Sequence, residues 1–519
     1  LLMVHGLACW LARPIGYLTG QDDIEYLALA QTLRQGSYHF LFRADAPLHG
    51  QYPPGYPAML AVWGAVTGDG FQALVMLSVL VSVAALALTY FAVRRVFDPW
   101  IAIAALAALV LNPSLVEFGG MPVSEAPFTL LAMLALVLLQ REDQNRRYPV
   151  LIGATAILAA LTRSIGILVV VAVALHWLIN RQWKRMFLLA AASIVFVGGW
   201  LLWTVVAPEQ HAGSSYVADI QASVVRSVAS PNMVSSVVRR ATFYATNAVP
   251  HILSVPTVAG TPIDNVVSVV LLAAGLFSGW WLLLRRWRPA SLYLALYAGL
   301  LLVWRWASVR FLLPTVPILV VALLAGLSVP FQRRWPRLAS ASVVVVAGLL
   351  VAGGAVRTGA AVAERAGCRD WERVPSPECV APVQAGFFEA LPYIRDNVPR
   401  DDTFLVAKPG ALWYYTGHLT TSYPEALAQG SDLWVPYLRE HGVRWILLSE
   451  IEQGEFQYLL RLDENCGALE IERRFGDRTW LFRLMDDDEA GENGLEGTGE
   501  ACQAVKEFRR VVAEMRVSR

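Results

Sequence analysis

Long apolar blocks, separated by short polar segments rich in arginine, make up most of the chain. A block of roughly 17–25 apolar residues can cross the ~30 Å core of a bilayer as a helix. It must be helical because lipid offers the backbone amides no other hydrogen-bond partner. We therefore predict about eleven membrane-spanning helices, near residues 1–12, 71–93, 101–111, 126–139, 150–161, 165–179, 187–206, 266–284, 292–304, 311–327 and 339–356. Because the chain does not open with Met, we expect it to begin inside a truncated first helix.

Cations recur in alternate loops between these blocks. Loops enriched in Lys and Arg face the cytoplasm according to the positive-inside bias. With an odd number of spans and a cytoplasmic N-terminus, the first loop, the loop 207–265 and everything after Arg357 then lie on the outer face. The cation-rich loops contain Arg94, Arg95, Arg141, Arg146, Arg147, Arg181, Lys184, Arg185, Arg285, Arg286, Arg288, Arg333, Arg334 and Arg337.

The pattern changes after residue 356 to that of an ordinary water-soluble domain. Short β-like runs alternate with helical stretches, which predicts a small α/β layer structure. The strands are expected near 404–407, 445–449 and 479–484, and the helices near 387–397 and 433–441. We divide the chain into a transmembrane domain, 1–356, whose first outer loop is 13–69, an extracytoplasmic α/β domain, 357–484, and a tail, 485–519. The tail begins with an acidic stretch expected to be disordered and ends in a helix.

The amino-acid composition is also typical of a membrane protein. Of the 519 residues, 56% are hydrophobic and only 16% are charged, against roughly 25% charge in an average soluble domain. The net charge of +1 gives no global basic surface, so we expect no nucleic-acid partner. The predicted fold class is a mostly α, polytopic transmembrane bundle in the plasma membrane, with a small C-terminal extracytoplasmic α/β domain.

Four of the five cysteines fall in the predicted outer domain, where an oxidising compartment would allow disulfides. Proximity favours Cys368 with Cys379, although spacing alone does not fix the connectivity. Reduced cysteines are the alternative if the domain is cytoplasmic. The other two cysteines of this domain are Cys466 and Cys502, and no CxxC or His-rich zinc pattern occurs.

Acidic residues at the predicted outer margin of the membrane are the first candidates for chemistry. Asp22 and Asp23 follow the first apolar block by about ten residues, where water and headgroups meet. The low local dielectric can raise the pKa of a carboxyl group, which suits a general base that takes a proton from an acceptor hydroxyl. The alternative is that Asp22 caps the helix predicted for residues 23–34.

Three further features lie at the predicted outer face. The segment 51–57, with sequence QYPPGYP, is a rigid turn whose prolines fix the backbone, and packing alone would also explain it. Glu125 starts the fourth span, where an isolated acid can simply favour the helix dipole. Arg163 is the only charge in the turn between two apolar runs. It either snorkels to the interface or binds an anionic headgroup such as a phosphate.

Together these features resemble the GT-C membrane glycosyltransferases, especially the dolichyl-phosphate-mannose protein mannosyltransferases and the aminoarabinose transferases. The resemblance rests on five motifs in the same order: QDDIEY at 21–26 with Ala30 beyond it, PPGYP at 53–57, SEAPF at 124–128, LTR at 161–163, and RFLLP at 310–314 with Pro317.

The resemblance implies a donor in which a monosaccharide is linked to a polyprenyl phosphate, and an inverting transfer on the outer face. The acceptor would be a lipid, a glycan or a protein. Asp22 takes the position of the general base, and Asp23 stands where relatives usually have Glu. Glu125 matches the acidic position after the third span, and Arg163 and Arg310 match basic positions that contact donor phosphate.

Substrate contacts and metal dependence are less well defined by the resemblance. Tyr26 and Tyr52 are candidate substrate-binding residues. Tyr52 stands where aminoarabinose transferases have a lysine, and His49 is near enough to replace that lysine. Some relatives bind a divalent metal ion, and Asp22, Asp23, Glu125, His211 and His251 are possible ligands, although no ligand spacing is visible.

A transporter is the main alternative, since many apolar helices with a few charges also describe secondary carriers. The chain shows no repeat halves and no paired spans broken by Gly or Pro, and its acids gather at one face. A second alternative is a non-catalytic membrane scaffold whose outer domain binds partners.

Overall fold

The computed structural model describes residues 1–17, 22–44, 46, 48–206, 233–255, 262–304, 307–332, 334–368, 374–421, 434–449, 462, 464–486 and 499–517. Of 262–268, 329–330 and 511–517 it describes the backbone alone. Gln21, His211, Arg333 and the first part of the acidic tail, which the sequence analysis named, lie outside the described residues. The described residues form two compact units.

The described residues are mostly helical. The helices up to residue 206 are α1 (Leu2–Leu11), α2 (Asp23–Arg34), α3 (Gly55–Thr67), α4 (Phe71–Val96), α5 (Pro99–Val110), α6 (Pro113–Gly119), α7 (Glu125–Leu139), α8 (Tyr148–Thr162), α9 (Ile167–Ile179) and α10 (Trp183–Val206). The later ones are α11 (Met233–Phe243), α12 (Val249–Ile252), α13 (Pro262–Arg286), α14 (Arg288–Val303), α15 (Val316–Gln332), α16 (Pro336–Arg365), α17 (Pro382–Asn397), α18 (Pro409–Thr416), α19 (Trp434–Glu440) and α20 (Glu500–Val517).

The first unit comprises the described residues of Leu1–Pro14, Gln51–Val206 and Ser215–Ala366. A helix covers each predicted apolar block. Among the described residues, five helices are long and apolar enough to cross a membrane, in α4, α10, α13, α15 and α16, and α5 with α6 adds a span bent by 64°. The chain is therefore an integral membrane protein. The count of about eleven spans is not confirmed, because five further apolar helices, such as α7 and α14, have only 10–17 residues.

Burial separates central from peripheral helices in this unit. In the stretch Val309–Ser328, which contains most of α15, 89% of the most apolar part is buried. In α10 the corresponding share is 11%. The outward side chains of α10 include Phe187, Leu188 and Val195. Apolar side chains directed outward are what a helix surrounded by lipid requires.

Glycines let α13 and α15 pack backbone to backbone. A Cβ on Gly279 would lie 1.8 Å from the carbonyl oxygen of Ala322, and one on Gly326 would lie 1.9 Å from that of Gly275. Such contacts are possible only without a side chain, and the four-residue spacing of Gly275 and Gly279 is typical of helix pairs in membranes.

The second unit comprises the described residues of Ile15–Gly50 and Gly367–Arg519. Its five-stranded sheet has the order β2-β1-β3-β5-β4. Strands β2, β1 and β3 are parallel, whereas β5 is antiparallel to both β3 and β4. The strands are β1 (Thr403–Val406), β2 (Thr420–Thr421), β3 (Val443–Ser449), β4 (Leu469–Phe475) and β5 (Thr479–Leu484).

Residues 15–50 pack with the C-terminal part of the chain, although the sequence analysis grouped them with the membrane helices. Backbone pairing is the reason. The Thr420 amide donates to the carbonyl of Phe42 at 2.8 Å, and the Ala44 amide donates to the carbonyl of Thr420 at 3.0 Å. Segment 42–44 thereby continues the sheet beyond β2 through a parallel bridge between Arg43 and Thr420.

Two disulfides lie in the second unit. Cys368 and Cys379 are bonded, as proximity predicted, and Cys466 is bonded to Cys502. The second bond joins the short helix before β4 to α20. Phe508 of α20 packs edge-on against Trp480 of β5, with ring centroids 5.5 Å apart. Cys9 is buried in the first unit with a free thiol.

Candidate functional site

Three separate elements of the first unit hold the charged residues predicted at the outer margin. Glu125 is the first residue of α7. Arg163 directly follows α8, where the chain leaves the helix in an extended conformation. Arg310 lies in a short 3-10 segment, Val309–Thr315, that leads into α15. Each residue thus stands at a helix boundary, where a side chain can reach across the ends of neighbouring helices.

The three side chains form one ionic cluster. Nη1 of Arg163 lies 2.6 Å from Oε1 of Glu125, and Nε of Arg310 donates to the same oxygen. Arg163 also donates to Oγ of Ser124 at 2.9 Å. Glu125 is 1% exposed, whereas the side chains of Arg163 and Arg310 are 16% and 20% exposed. The arginines, and not the glutamate, therefore retain access to a ligand.

Charge counting indicates what the cluster can bind. Two guanidinium groups and one carboxylate sum to +1 for these three side chains. The second carboxylate oxygen of Glu125 is buried and accepts no hydrogen bond from the described residues. A buried carboxylate that accepts a hydrogen bond from Arg310 and forms an ion pair with Arg163 orients both guanidinium groups. Planar guanidinium groups oriented in this way match the geometry of a phosphate.

The proline-rich turn with Tyr52 packs close to this cluster. It leads into α3, whose first residue, Gly55, touches the end of α8. A Cβ on Gly55 would lie 2.6 Å from the carbonyl oxygen of Leu161, two residues before Arg163. Only glycine permits this approach, which explains the sequence of the turn by packing. Tyr52 itself is partly exposed, so the structure leaves its predicted substrate contact open.

An apolar cavity of about 540 Å³ lies in the same unit. Its walls come from α11 to α15, together with the π-helical segment Tyr244–Ala248 and the 3-10 segment that carries Arg310. They include Tyr244, Ala273, Phe277, Tyr297, Ala298 and Leu312. Tyr297 donates from its hydroxyl to the carbonyl of Phe311 at 2.8 Å. The cavity and the arginine cluster are thus joined through one short segment of chain.

The predicted acidic pair lies in the second unit, at the start of α2. Asp22 occupies the N-cap position, but its side chain makes no capping hydrogen bond to the helix. The capping explanation for Asp22 therefore does not apply. Asp22 is partly exposed, whereas Asp23 and Tyr26 are buried, at 1% and 3% exposure. Of the two acids, Asp22 is the one that a substrate can reach.

His49 also belongs to the second unit and is 2% exposed. Its ring packs against Phe40 and Tyr38, with centroids 4.4 and 5.6 Å away. Burial, with a smaller contribution from the charge of Arg43, lowers the pKa of His49 to about 3. A neutral, enclosed imidazole favours a packing role over the phosphate contact expected from the sequence.

No group of three or more His, Cys, Asp and Glu side chains that could hold a metal ion occurs in the part of the chain that the structure describes. Of the possible ligands, His251 contacts Arg357, with 2.9 Å between Nε2 and Nη2. A divalent metal therefore stays a prediction from the resemblance.

Residues 51–209 match the family model described as dolichyl-phosphate-mannose-protein mannosyltransferase. Among solved structures, the chain is similar to ArnT from Cupriavidus metallidurans in the apo state, with a TM-score of 0.56 and 16% identity, covering 92% of this chain and 96% of that one. The same protein bound to undecaprenyl phosphate gives a TM-score of 0.56 at 15% identity, with 93% and 97% covered. No curated protein gives a significant sequence match.

The chain has the fold of a GT-C membrane glycosyltransferase. An oligosaccharyltransferase from Archaeoglobus fulgidus, solved in complex with Zn and sulfate, is also similar, with a TM-score of 0.56, 14% identity, and 94% of this chain and 73% of that one covered. The resemblance predicted from the motifs is thus confirmed. In this GT-C fold, the matched segment includes Tyr52, Glu125 and Arg163.

Several residues around the candidate site carried little functional signal in the sequence. Ser124 appeared only as part of a motif, yet it accepts a hydrogen bond from Arg163. Tyr293 is fully buried, its hydroxyl has no partner among the described residues, and its ring lies 5.5 Å from that of Tyr297. A tyrosine in an apolar block is a weak signal, because packing accounts for most of them. In the second unit, Tyr415 on α18 carried no functional signal in the sequence.

Proposed function

We propose that this protein transfers a monosaccharide from a polyprenyl-phosphate donor to an acceptor at the outer face of the membrane, with inversion at the anomeric carbon. The cluster in which Glu125 orients Arg163 and Arg310 carries the proposal. A departing polyprenyl phosphate is an anion, and preorganised donors aimed at developing charge are the largest source of rate acceleration in many enzymes.

The apolar cavity supports a polyprenyl chain as the hydrophobic part of the donor. Its lining is almost free of polar groups, and a volume of about 540 Å³ falls in the range of ligand pockets. The 3-10 segment Val309–Thr315 contributes both Arg310 and the cavity residues Leu312 and Thr315. A phosphate at the arginines and an isoprenoid tail in the cavity would therefore be adjacent parts of one ligand.

Asp22 is the proposed general base. It takes the proton of the acceptor hydroxyl as the hydroxyl oxygen forms a bond to the anomeric carbon. The bond from that carbon to the phosphate oxygen breaks at the same time, and its electron pair leaves with the phosphate. One base and one displacement, with no covalent enzyme intermediate, give inversion. Asp23, which is buried, is proposed to support Asp22 and not to contact substrate.

The two disulfides support an outer-face position for the C-terminal residues, because stable disulfides form in oxidising compartments. The acceptor is proposed to be a lipid, a glycan or a protein, and a divalent metal could assist. The plasma membrane is the proposed location, as the positive-inside bias and the disulfides are consistent with one orientation.

A transfer assay with Asp22→Asn tests the proposal. Purified protein in nanodiscs is supplied with a panel of undecaprenyl- and dolichyl-phosphate monosaccharides and a membrane extract as acceptor source, and released polyprenyl phosphate is measured. We expect release by the unaltered protein and a loss of about 10²–10⁴-fold in Asp22→Asn. The half-buried Asp69, changed to Asn, is the control and should keep its activity. Retained activity in Asp22→Asn would remove Asp22 from the role of base.

A further inference from the structure

Three contacts within the second unit lie before and after the acidic turn, Asp22–Asp23, along the chain. Before the turn, the hydroxyl of Tyr415 donates to the carbonyl of Tyr17 at 3.0 Å. Directly after it, Gly410 packs against Ile24. Beyond α2, the backbone of segment 42–44 pairs with Thr420. Tyr415 and Gly410 lie on α18, and Thr420 lies on β2, so all three contacts come from the C-terminal α/β part of the chain.

Gly410 and Ile24 are too close to admit a side chain at position 410. A Cβ on Gly410 would lie 2.7 Å from Cγ2 of Ile24, 3.4 Å from its Cβ and 3.4 Å from Cε1 of Phe42. Ile24 follows Asp23 directly and is 4% exposed. A side chain at position 410 must therefore displace either Ile24 or α18, and because a β-branched side chain in a helix has one strongly preferred rotamer, Ile24 cannot easily turn away.

Aromatic packing surrounds the same helix. The rings of Tyr17 and Tyr414 meet edge-on with centroids 4.6 Å apart, and Phe388 on α17 lies 5.8 Å from Tyr415. Tyr17 is fully buried. A Cβ on Gly16 would lie 2.6 Å from the Tyr415 hydroxyl oxygen, so Gly16 and Tyr17 pack closely against α18.

We infer that α18 positions the Asp22–Asp23 turn, so that Gly410 and Tyr415 are positioning residues for the proposed general base. The C-terminal α/β residues thereby take part in catalysis without touching substrate. This inference rests on the proposed function for its effect on rate, but the placement of the turn is a separate physical claim. It can be measured without any donor.

The first arm of the test is structural. Hydrogen–deuterium exchange of the peptide covering residues 22–34 is compared in the unaltered protein, in Gly410→Ala and in Gly410→Ala combined with Ile24→Ala. The double variant removes the 2.7 Å contact and leaves the 3.4 Å contact with Cβ. We expect faster exchange in Gly410→Ala and recovery in the double variant. Gly367→Ala, where a new Cβ meets nothing within 4 Å, is the matched control.

The second arm separates rate from binding. Displacing a catalytic group by about 1 Å can cost ~10²-fold in rate, so we expect Gly410→Ala and Tyr415→Phe to lower kcat by at least about tenfold. Affinity for undecaprenyl phosphate should stay within about twofold in both. A fall in affinity equal to the fall in kcat would indicate general loss of structure and overturn the inference.

The two claims fail in different ways. Unchanged exchange of residues 22–34 in Gly410→Ala would overturn the positioning role, whatever the activity. Faster exchange and recovery in the double variant, in a protein that transfers no sugar from any polyprenyl phosphate, would keep the positioning role and remove the proposed function.

Discussion

Two buried carboxylates, Glu125 in the first unit and Asp23 in the second, are fixed in different ways. Glu125 is 1% exposed and pairs with two arginines on two other elements, accepting a hydrogen bond from Arg310. Asp23 is equally buried, but the helix that carries it is placed by the close approach of Gly410 to its neighbour Ile24. Glu125 thus lies between two cations, whereas Asp23 begins a helix whose next residue, Ile24, packs against α18.

The difference teaches which acid can serve as the base. A carboxylate that orients two cations is strongly favoured in its charged form and is a poor proton acceptor. Its role is to keep the cations in place. An acidic turn placed by packing can present a carboxylate, Asp22, that is partly open to a substrate. In the proposed function, the first arrangement would hold the leaving phosphate and the second would accept the proton.

The largest expected effect comes from breaking the arrangement held by charge. Glu125→Gln leaves two arginines without their shared counter-ion, and removing one partner of a buried ion pair typically costs about 3–5 kcal/mol. We expect a clear drop in thermal stability, measured by unfolding in detergent. Glu470→Gln, which breaks an exposed pair with Arg483, is the control and should cost less than about 1 kcal/mol. Equal effects of the two changes would mean that the buried cluster is not a structural unit.

The disulfides test the second unit alone. Cys466 and Cys502 are 36 residues apart and Cys368 and Cys379 are 11 apart. A longer loop loses more entropy on closure. We therefore expect removal of the bond between Cys466 and Cys502 to destabilise the fold by about 4 kcal/mol, and removal of the bond between Cys368 and Cys379 by about 3 kcal/mol. Paired Cys→Ser variants and chemical unfolding, followed by hydrogen–deuterium exchange of the peptide that covers β5, measure this. The opposite order would show that chain entropy does not dominate.

Acid should weaken the packing around His49. The pKa of His49 in the folded chain is about 3, below the value of 6.5 for the exposed side chain, so the unfolded chain binds the proton more tightly. The stabilising effect is complete above pH 6.5 and is lost as the pH falls toward 3. By pH 5 we expect a loss of about 2 kcal/mol relative to pH 7. In His49→Gln this part of the pH dependence should disappear, and its persistence would assign it to another group.

The smallest effect sharpens the account of the first unit. Ala273 and the neighbouring Ala274 are both exposed, but only Ala273 lines the apolar cavity. Ala273→Trp should fill part of the cavity and weaken the binding of undecaprenyl phosphate by roughly tenfold, which corresponds to about 1.4 kcal/mol. Ala274→Trp adds the same side chain outside the cavity and should leave affinity unchanged. Similar affinities for the two variants would place the lipid tail elsewhere.

The helices of the first unit could be predicted from the sequence because long apolar blocks allow only one backbone structure in lipid. Which blocks span the bilayer could not, since α7 and α14 are shorter than the span length and tertiary packing decides their depth. Glu125, Arg163 and Arg310 could be grouped only through the resemblance, because they lie far apart in the chain. Their shared contact through one carboxylate oxygen depends on the packing of three helix ends.

The placement of residues 15–50 could not be predicted. It depends on a two-residue strand, Thr420–Thr421, and on a glycine, Gly410, whose importance is that it lacks a side chain. Neither leaves a periodic signal in the sequence. The bond between Cys466 and Cys502 has the same origin, because α20 is brought to the sheet by packing of Phe508 against Trp480.

Binding of undecaprenyl phosphate, compared with undecaprenol, tests the central claim most directly. The two lipids share the same tail and differ only in the anionic group that Arg163 and Arg310 are proposed to hold. In nanodiscs, we predict that the unaltered protein binds the phosphate at least about tenfold more tightly, and that changing both arginines to Gln abolishes this preference. Equal binding of the two lipids by the unaltered protein, or an unchanged preference in the double variant, would contradict the account.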